Sequence, residues 1–248
     1  MSLKHTLRLL TDRAGEIRQQ DGTKGLLKAL VRYSLSPVYK SESFWLVVDK
    51  SRTEYKTNAS GPRIDETRLD FKVVTSNQEA DLLEAEGFGF RRHHTYFNYD
   101  LKVYTHWLAC GAVACCTFVD KEFAAVHWLI LSQQTQDALK EIPLRVDYAH
   151  QEAFGRGIWV NPKFRGMQVH TYTARKRDGF LLQRGIPIKR SAVDFTNRSG
   201  RGIGTAGGSR LYGIGRRTRV LGRTFWREHH FEAPIEWSET DKIKSVWK

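Results

Sequence analysis

The chain has 248 residues, a net charge of +13, and contents of 40% hydrophobic and 12% aromatic residues. This length is enough to bury a core, and the composition excludes a disordered chain. No apolar run reaches the ~18 residues that a membrane span needs. Residues 155–228 hold seventeen Lys and Arg against three Asp and Glu. This basic half predicts an anionic partner (a nucleotide cofactor, a tRNA or a membrane) or else a solvated basic face.

The first 64 residues predict a helix-and-strand extension ahead of the main domain. Residues 20–40 carry an apolar stripe opposed by Lys and Arg, which is typical of an amphipathic helix ending at Pro37. Such a helix packs on its own domain or makes peripheral contact with a membrane. The N-terminus lacks the uninterrupted apolar core of a signal peptide, so we expect a cytoplasmic protein. A strand, "SFWLVVDK", and a polar loop over residues 51–66 follow.

The middle of the chain predicts strands and short helices. "RLDFKVVTSN" alternates like a strand, and "SNQEADLLEAEGF" resembles a capped helix that begins at Ser76 or Asn77 and ends at Gly87. Residues 100–131 predict two or three strands, "LKVYTHWLACG", "AVACCTFVD" and "FAAVHWLIL", with turns at Gly111 and Asp120-Lys121. "SQQTQDALKEIP" predicts a short helix. Core packing is the predicted role of three cysteines and four strand tryptophans: Cys110, Cys115, Cys116, Trp107, Trp128, Trp159 and Trp226.

The basic half predicts a strand, a helix and three more strands. "GRGIWVNP" reads as a strand ended by Pro162, and "VHTYTARKRDGFLLQRG" as a helix closed by Gly185. "IPIKRSAVDFTN" predicts a strand, and "SRLYGIGRRTRVLGRTFWRE" predicts two. The element order indicates a mixed α/β (α+β) sheet protein rather than eight repeated βα units. Neighbouring histidines at 93–94 and 229–230 point apart on a strand, so no metal site is predicted.

The stretch "GRGIGTAGG" contains the dinucleotide-binding pattern Gly202-x-Gly204-x-x-Gly207. That pattern requires a long helix after its last glycine and a second mononucleotide half. The residues that follow show no helical periodicity, and too few remain for a second half. The sequence therefore argues against a nicotinamide or flavin enzyme.

A better anion site lies between the strand that ends at Pro162 and the next helix. The loop Lys163–Gly166 is basic, and backbone N–H groups at a helix N-terminus attract phosphate. Val160, Pro162 and "FRG" at 164–166, followed by this helix and by Asn197 after the next strand, resemble the GNAT acyltransferase superfamily. The resemblance covers about residues 65–225 and departs from the family in the loop, where Gln168 and His170 replace small residues.

This resemblance implies a GNAT-like domain over residues 65–232, with extensions at 1–64 and 233–248. "GLLKALVRYSLSPVYK" before a strand is similar to some bacterial members. The implied co-substrate is acetyl-CoA or another acyl-CoA. Its acyl group is transferred to an amine on a small molecule or peptide. The implied cofactor-binding residues are Ile158, Trp159, Val160, Lys163, Arg165, Gly166, Met167, Gln168, Val169, His170 and Asn197. A second register, Arg201–Ala206, also fits the loop pattern, but leaves little room for the remaining elements.

Acyl transfer needs a base for the acceptor ammonium and polarisation of the thioester. Glu152 and His150 are the predicted bases, with Asp147 third. The family's tyrosine falls on Gly204, so Tyr212 or Tyr172 is the predicted substitute. Two alternatives stay open: a transferase that takes its acyl group from aminoacyl-tRNA, and a binding protein that has lost the chemistry. "GRGIGTAGG" is expected to replace the family's last helix, as a flexible basic loop.

Overall fold

The computed structural model describes residues 23, 39–51, 64–90, 101–140, 142–240 and 243. Most of the predicted helix over residues 20–40 and of the predicted loop over 51–66 lies outside these ranges, and Tyr39 and Lys40 belong to a strand. None of the helices in the described ranges combines the length and apolar character that crossing a bilayer requires. The chain divides into two compact units, Phe44–Gly215 with Glu228–Lys248, and Met1–Ser43 with Arg216–Arg227. The predicted boundaries after residues 64 and 232 stay a prediction.

Eight strands of the described residues lie in one sheet in the order β2-β3-β4-β5-β6-β1-β7-β8. Neighbours pair antiparallel from β2 to β5 and between β6 and β1, whereas β5 and β6 run parallel. The strands are β1 Tyr39–Lys50, β2 Leu69–Val74, β3 Val113–Val119, β4 Glu122–Ile130, β5 Glu152–Val160, β6 Ile188–Asp194, β7 Arg210–Val220 and β8 Arg223–Ile235. The predicted mixed sheet is therefore confirmed.

Helices cover both faces of this sheet. They are α1 Asn77–Ala85, α2 Leu101–Ala109, α3 Gln133–Ala138, α4 Val169–Gln183 and α5 Arg198–Ala206. Alternate residues of β3 pack on opposite sides, with Cys116 in a cluster that includes α1 and α2, and Cys115 in a cluster with Leu181 of α4. Burial raises the pKa of Cys115 to about 12, so this thiol stays protonated, as a core side chain would.

The segment Leu101–Ala109 is a helix, so the predicted strand there is wrong. Tyr104 and Leu108, one helical turn apart, are both buried against α1 and β3. The helix closes at Gly111, where φ is +90°. Its valine, tyrosine, threonine and tryptophan residues favour strands, but packing of one apolar face outweighs that preference. Trp107 therefore lies on a helix and not on a strand.

The glycine-rich stretch is also a helix, α5, rather than a flexible loop. Asn197 caps it, because its side-chain oxygen accepts a hydrogen bond of 2.8 Å from the Gly200 N–H. Its glycines allow close packing: a Cβ at Gly204 would lie 2.7 Å from the Trp237 ring. The same ring occupies the space that a tyrosine at this position would need. Helical periodicity is hidden in the sequence because the packed face is formed by backbone.

Two glycines of α5 should respond oppositely to alanine. Gly204→Ala forces its new methyl group into Trp237, which should lower the free energy of unfolding by about 1–3 kcal/mol. A Cβ at Gly202 would meet nothing within 4 Å, so Gly202→Ala should raise it by about 0.5–1 kcal/mol through helix propensity. Urea unfolding of both variants measures the difference. Equal changes in the free energy of unfolding of the two variants would contradict the assignment of this stretch as a helix.

Candidate functional site

The sheet opens between β5 and β6. These parallel strands pair only over Glu152–Phe154 and Ile188–Arg190, and the rest of β5 pairs with β4 alone. A bulge follows at Gly157, which has a φ of +62° and shifts the register against β4. Beyond Phe154, the edge of β5 that faces β6 therefore has backbone groups available to a ligand.

A cleft of about 460 Å³, including space open to solvent, lies at this opening; we call it the splay cleft. Its walls come from β1, β5, β6, the first turns of α4 and the end of α5. Residues that matter for its chemistry are Asp49, Ile158, His170, Arg177, Lys189 and Ser209. Ile158, predicted as a cofactor-binding residue, is 45% exposed here. Three cationic side chains, Lys50, Arg177 and Lys189, line the cleft against one carboxylate, which favours an anionic or electron-rich ligand.

The loop before α4 has the conformation that a phosphate-binding loop needs. Asn161 holds it to β4, donating 2.9 Å to the Phe123 carbonyl and accepting from the Lys163 N–H. Gly166 and Gln168 both adopt positive φ, of +78° and +60°. Gln168 thus keeps a left-handed conformation that glycine favours, although it is not glycine. No side chain caps α4 at Gln168, so the first N–H groups of this helix are left for an anion.

The predicted binding residues of this loop divide between surface and core. The Arg165 Nε donates weakly, at 3.4 Å, to the Val160 carbonyl at the end of β5. Lys163 forms an ion pair with Glu122. Met167 is exposed, whereas Trp159 and Val169 are buried. The loop therefore brings Arg165 and the backbone of residues 166–170 to the start of α4. Val169 packs with Phe164 of this loop, whereas Trp159 packs on the other face of the sheet, in the cluster that includes α1 and α2.

His170 begins a chain of buried polar side chains. Its Nδ1 lies 2.9 Å from Nε2 of His127 on β4, and Nδ1 of His127 lies 2.9 Å from Nη1 of Arg177. Arg177 also donates to the Asp178 carboxylate, at 2.8 and 2.6 Å. Because an arginine only donates, Nδ1 of His127 must accept and its Nε2 must carry the proton. His170 then accepts at Nδ1 and keeps its proton on Nε2.

This arrangement holds both histidines neutral. Burial lowers the pKa of His170 to about 4, with repulsion from Arg177 and Lys189 adding to the effect. Burial lowers the pKa of His127 well below its ordinary value for the same reason, with His170 and Arg177 contributing. His170 therefore presents a fixed N–H donor at the splay cleft.

Lys189 adds a charged group at the point where the strands separate. It is 5% exposed and forms an ion pair with Asp49, its cross-strand partner on β1. Burial raises the pKa of Asp49, but the Lys189 ammonium outweighs burial and leaves it below the ordinary value. A Cβ at Gly155 would lie 2.8 Å from the Lys189 Cδ, so the lysine stem crosses β5 there.

The predicted catalytic residues lie away from the splay cleft. Both carboxylate oxygens of Glu152 accept from Arg190, at 2.5 and 2.6 Å. Arg190 follows Lys189 on β6 and so points to the opposite face of the sheet. It lies 4.6 Å from the centre of the Tyr212 ring, and burial raises the pKa of that tyrosine. His150 is exposed and bonds to Asp147 at 2.7 Å. 

The two remaining predicted residues, Asn197 and Tyr172, have structural contacts elsewhere. Asn197 caps α5, as described above. Tyr172 is buried among Ile64, Leu69 and Phe164 on α4. The residues that sequence reasoning missed are His127, Arg177, Asp178, Lys189 and Asp49. Their one common signal is a polar side chain within a strand or helix that also packs apolar side chains, and two of the contacts, His127 with Arg177 and Lys189 with Asp49, join residues distant in sequence. Among the described residues, no three His, Cys, Asp or Glu side chains could together hold a metal ion.

No family model matches the chain, and no curated protein matches it in sequence. Solved structures do match. A functionally unknown conserved protein from Staphylococcus epidermidis has a TM-score of 0.46 and 11% identity, over 77% of this chain and 65% of that one. A GCN5-related N-acetyltransferase from Sphaerobacter thermophilus has a TM-score of 0.40 and 10% identity, over 87% and 59%.

A tandem GNAT protein from the clavulanic acid biosynthesis pathway matches with a TM-score of 0.46 and 10% identity, over 79% and 59%. GNAT proteins are among the structures that this chain resembles. The loop motif predicted this likeness. The chain spans less than two thirds of the length of each of these three structures.

The buried histidines should make stability fall with acid. Unfolded histidine titrates near pH 6.5, whereas folded His170 titrates near 4. Between these values the unfolded chain binds more protons, so the free energy of unfolding should fall as pH drops from about 6.5 to about 4. Urea unfolding at several pH values measures this slope. The double variant His127→Asn/His170→Asn should flatten it, and an unchanged slope would contradict the neutral pair.

Proposed function

We propose that the chain is an acyl-CoA-dependent N-acyltransferase that holds its acyl donor in the splay cleft. The observation that carries this proposal is the separation of β5 from β6 beside the loop that opens α4. An extended pantetheine arm can pair with the open backbone edge of β5, as an added strand would. The pyrophosphate then meets the N–H groups at the start of α4 and the Arg165 side chain, where the helix dipole favours negative charge.

The cleft supplies hydrogen-bond donors for the reacting thioester. In acyl transfer the acceptor nitrogen attacks the thioester carbonyl carbon, negative charge gathers on the oxygen, and the C–S bond breaks to release a thiolate. The β5 backbone, His170 Nε2 and the Lys189 ammonium are the donors placed along this cleft, and fixed donors stabilise such charge without reorganising. The amine proton passes to water in this proposal, because Asp49 is held by Lys189 and Glu152 by Arg190.

A second candidate, transfer from aminoacyl-tRNA, is favoured by one observation. Residues 155–228 hold seventeen Lys and Arg against three acidic residues. A tRNA donor would use these charges along its phosphate backbone, and its affinity would fall steeply with salt. Acyl-CoA binding with little RNA affinity separates the two candidates in favour of the first.

Arginine substitutions test the donor site by calorimetry with acetyl-CoA and CoA. Arg165→Ala should weaken the affinity by about tenfold, because a charge-assisted hydrogen bond contributes ~1.5 kcal/mol or more. The matched control is Arg175→Ala, on α4, where the side chain forms a 3.0 Å ion pair with Glu66 away from the loop. This control should leave the affinity unchanged. Equal losses in both variants, or no binding of acetyl-CoA or longer acyl-CoAs at millimolar concentration, would contradict the proposal.

A further inference from the structure

The smaller unit contains a basic hairpin, Arg216–Arg227, that the proposed reaction does not use. Its sequence, "RRTRVLGRTFWR", holds five arginines and no acidic residue. β7 ends at Val220 and β8 begins at Arg223, so Leu221 and Gly222 alone form the turn. Both residues have positive φ, of +48° and +81°, as a two-residue hairpin turn requires.

The apex of this hairpin is apolar and exposed. Leu221 is 76% exposed, the largest exposed fraction among the large apolar side chains of the described residues. Leucine is also a poor choice for a left-handed turn, where asparagine before glycine is favoured. The sequence therefore has an exposed aliphatic side chain at a position where the backbone conformation alone would favour asparagine. Such an exposed apolar side chain indicates a binding surface.

Arginine side chains and an aromatic ring lie next to the apex along the two strands. Arg219 and Arg223 are two residues either side of Leu221, within about 7 Å along the strands at ~3.3 Å per residue. Arg223, Phe225 and Arg227 alternate onto one face of β8, and all three are exposed. Phe225 is 56% exposed. The hairpin thus combines an apolar tip with a ring of positive charge.

We infer that this hairpin docks on an anionic phospholipid surface. An apolar tip that enters the headgroup region by about 5–10 Å would bury Leu221 and bring Arg219 and Arg223 level with the lipid phosphates. The charge complements an anionic leaflet, because each arginine near such a surface adds to the attraction. RNA would also attract the arginines and stack on Phe225, but it offers no apolar environment for an aliphatic apex. A bilayer accounts for both features.

The experiment measures co-sedimentation of the full chain with vesicles of phosphatidylcholine plus phosphatidylglycerol, and of phosphatidylcholine alone. The wild type should bind the mixed vesicles and not the neutral ones. Leu221→Asn should weaken binding about tenfold or more, because the buried leucine is lost. Arg219→Gln/Arg223→Gln should weaken it by about fivefold for each charge removed.

Leu221→Asn also keeps the fold intact, because it creates the favoured Asn-Gly turn. Its melting temperature should equal or exceed that of the wild type. The matched control is Leu82→Gln, which removes a leucine that is 57% exposed on α1 and should leave vesicle binding unchanged. The inference is overturned if the wild type does not bind mixed vesicles, or if Leu221→Asn binds them as the wild type does. It is also overturned if the wild type binds RNA in a salt-sensitive way and the Leu221→Asn variant keeps that RNA binding.

Discussion

A buried ammonium group ties three strands together where the sheet opens. Lys189 of β6 forms an ion pair with Asp49 of β1, and its stem crosses β5 over Gly155, where a Cβ would leave it no room. A buried charge that loses its partner costs about 3–5 kcal/mol, so this pairing constrains all three strands. β5 leaves β6 one residue before Gly155, after the Phe154 pair. The cleft, its charge and the open edge of β5 all depend on this arrangement.

The series of hydrogen-bonded side chains from Asp178 to His170 is the second feature that fixes the geometry of the cleft. Each side chain forms a hydrogen bond with the next, as buried polar groups must, and the direction of every bond follows from the Arg177 guanidinium, which only donates. α4 is thereby fastened to β4 through side chains as well as apolar contacts. A donor held in this way is oriented before any ligand arrives, which is the condition under which hydrogen bonds stabilise developing charge.

Local sequence patterns predicted most of the helices and strands. They failed where contacts between residues distant in sequence determine the structure. "VNPKFRG" correctly located a strand end, a loop and a helix, because turn chemistry and capping act within a few residues. The predictions of a strand at Leu101–Ala109 and of a loop at Arg198–Ala206 were wrong. Packing of a helix face on α1 and the close approach of Trp237 to Gly204 outweigh local propensity there. The buried side chains that hold His170 were missed for the same reason: the bond between His127 and Arg177 spans fifty residues.

We propose that the acyl donor lies along the open edge of β5. Hydrogen–deuterium exchange with and without acetyl-CoA reads this edge directly, because backbone amides that bond to a ligand exchange more slowly. The account predicts slower exchange at residues 155–160 of β5 and at 166–170 at the start of α4, with little change in α1 and α2. Unchanged exchange at β5 under saturating acetyl-CoA, or protection confined to other elements, would contradict it.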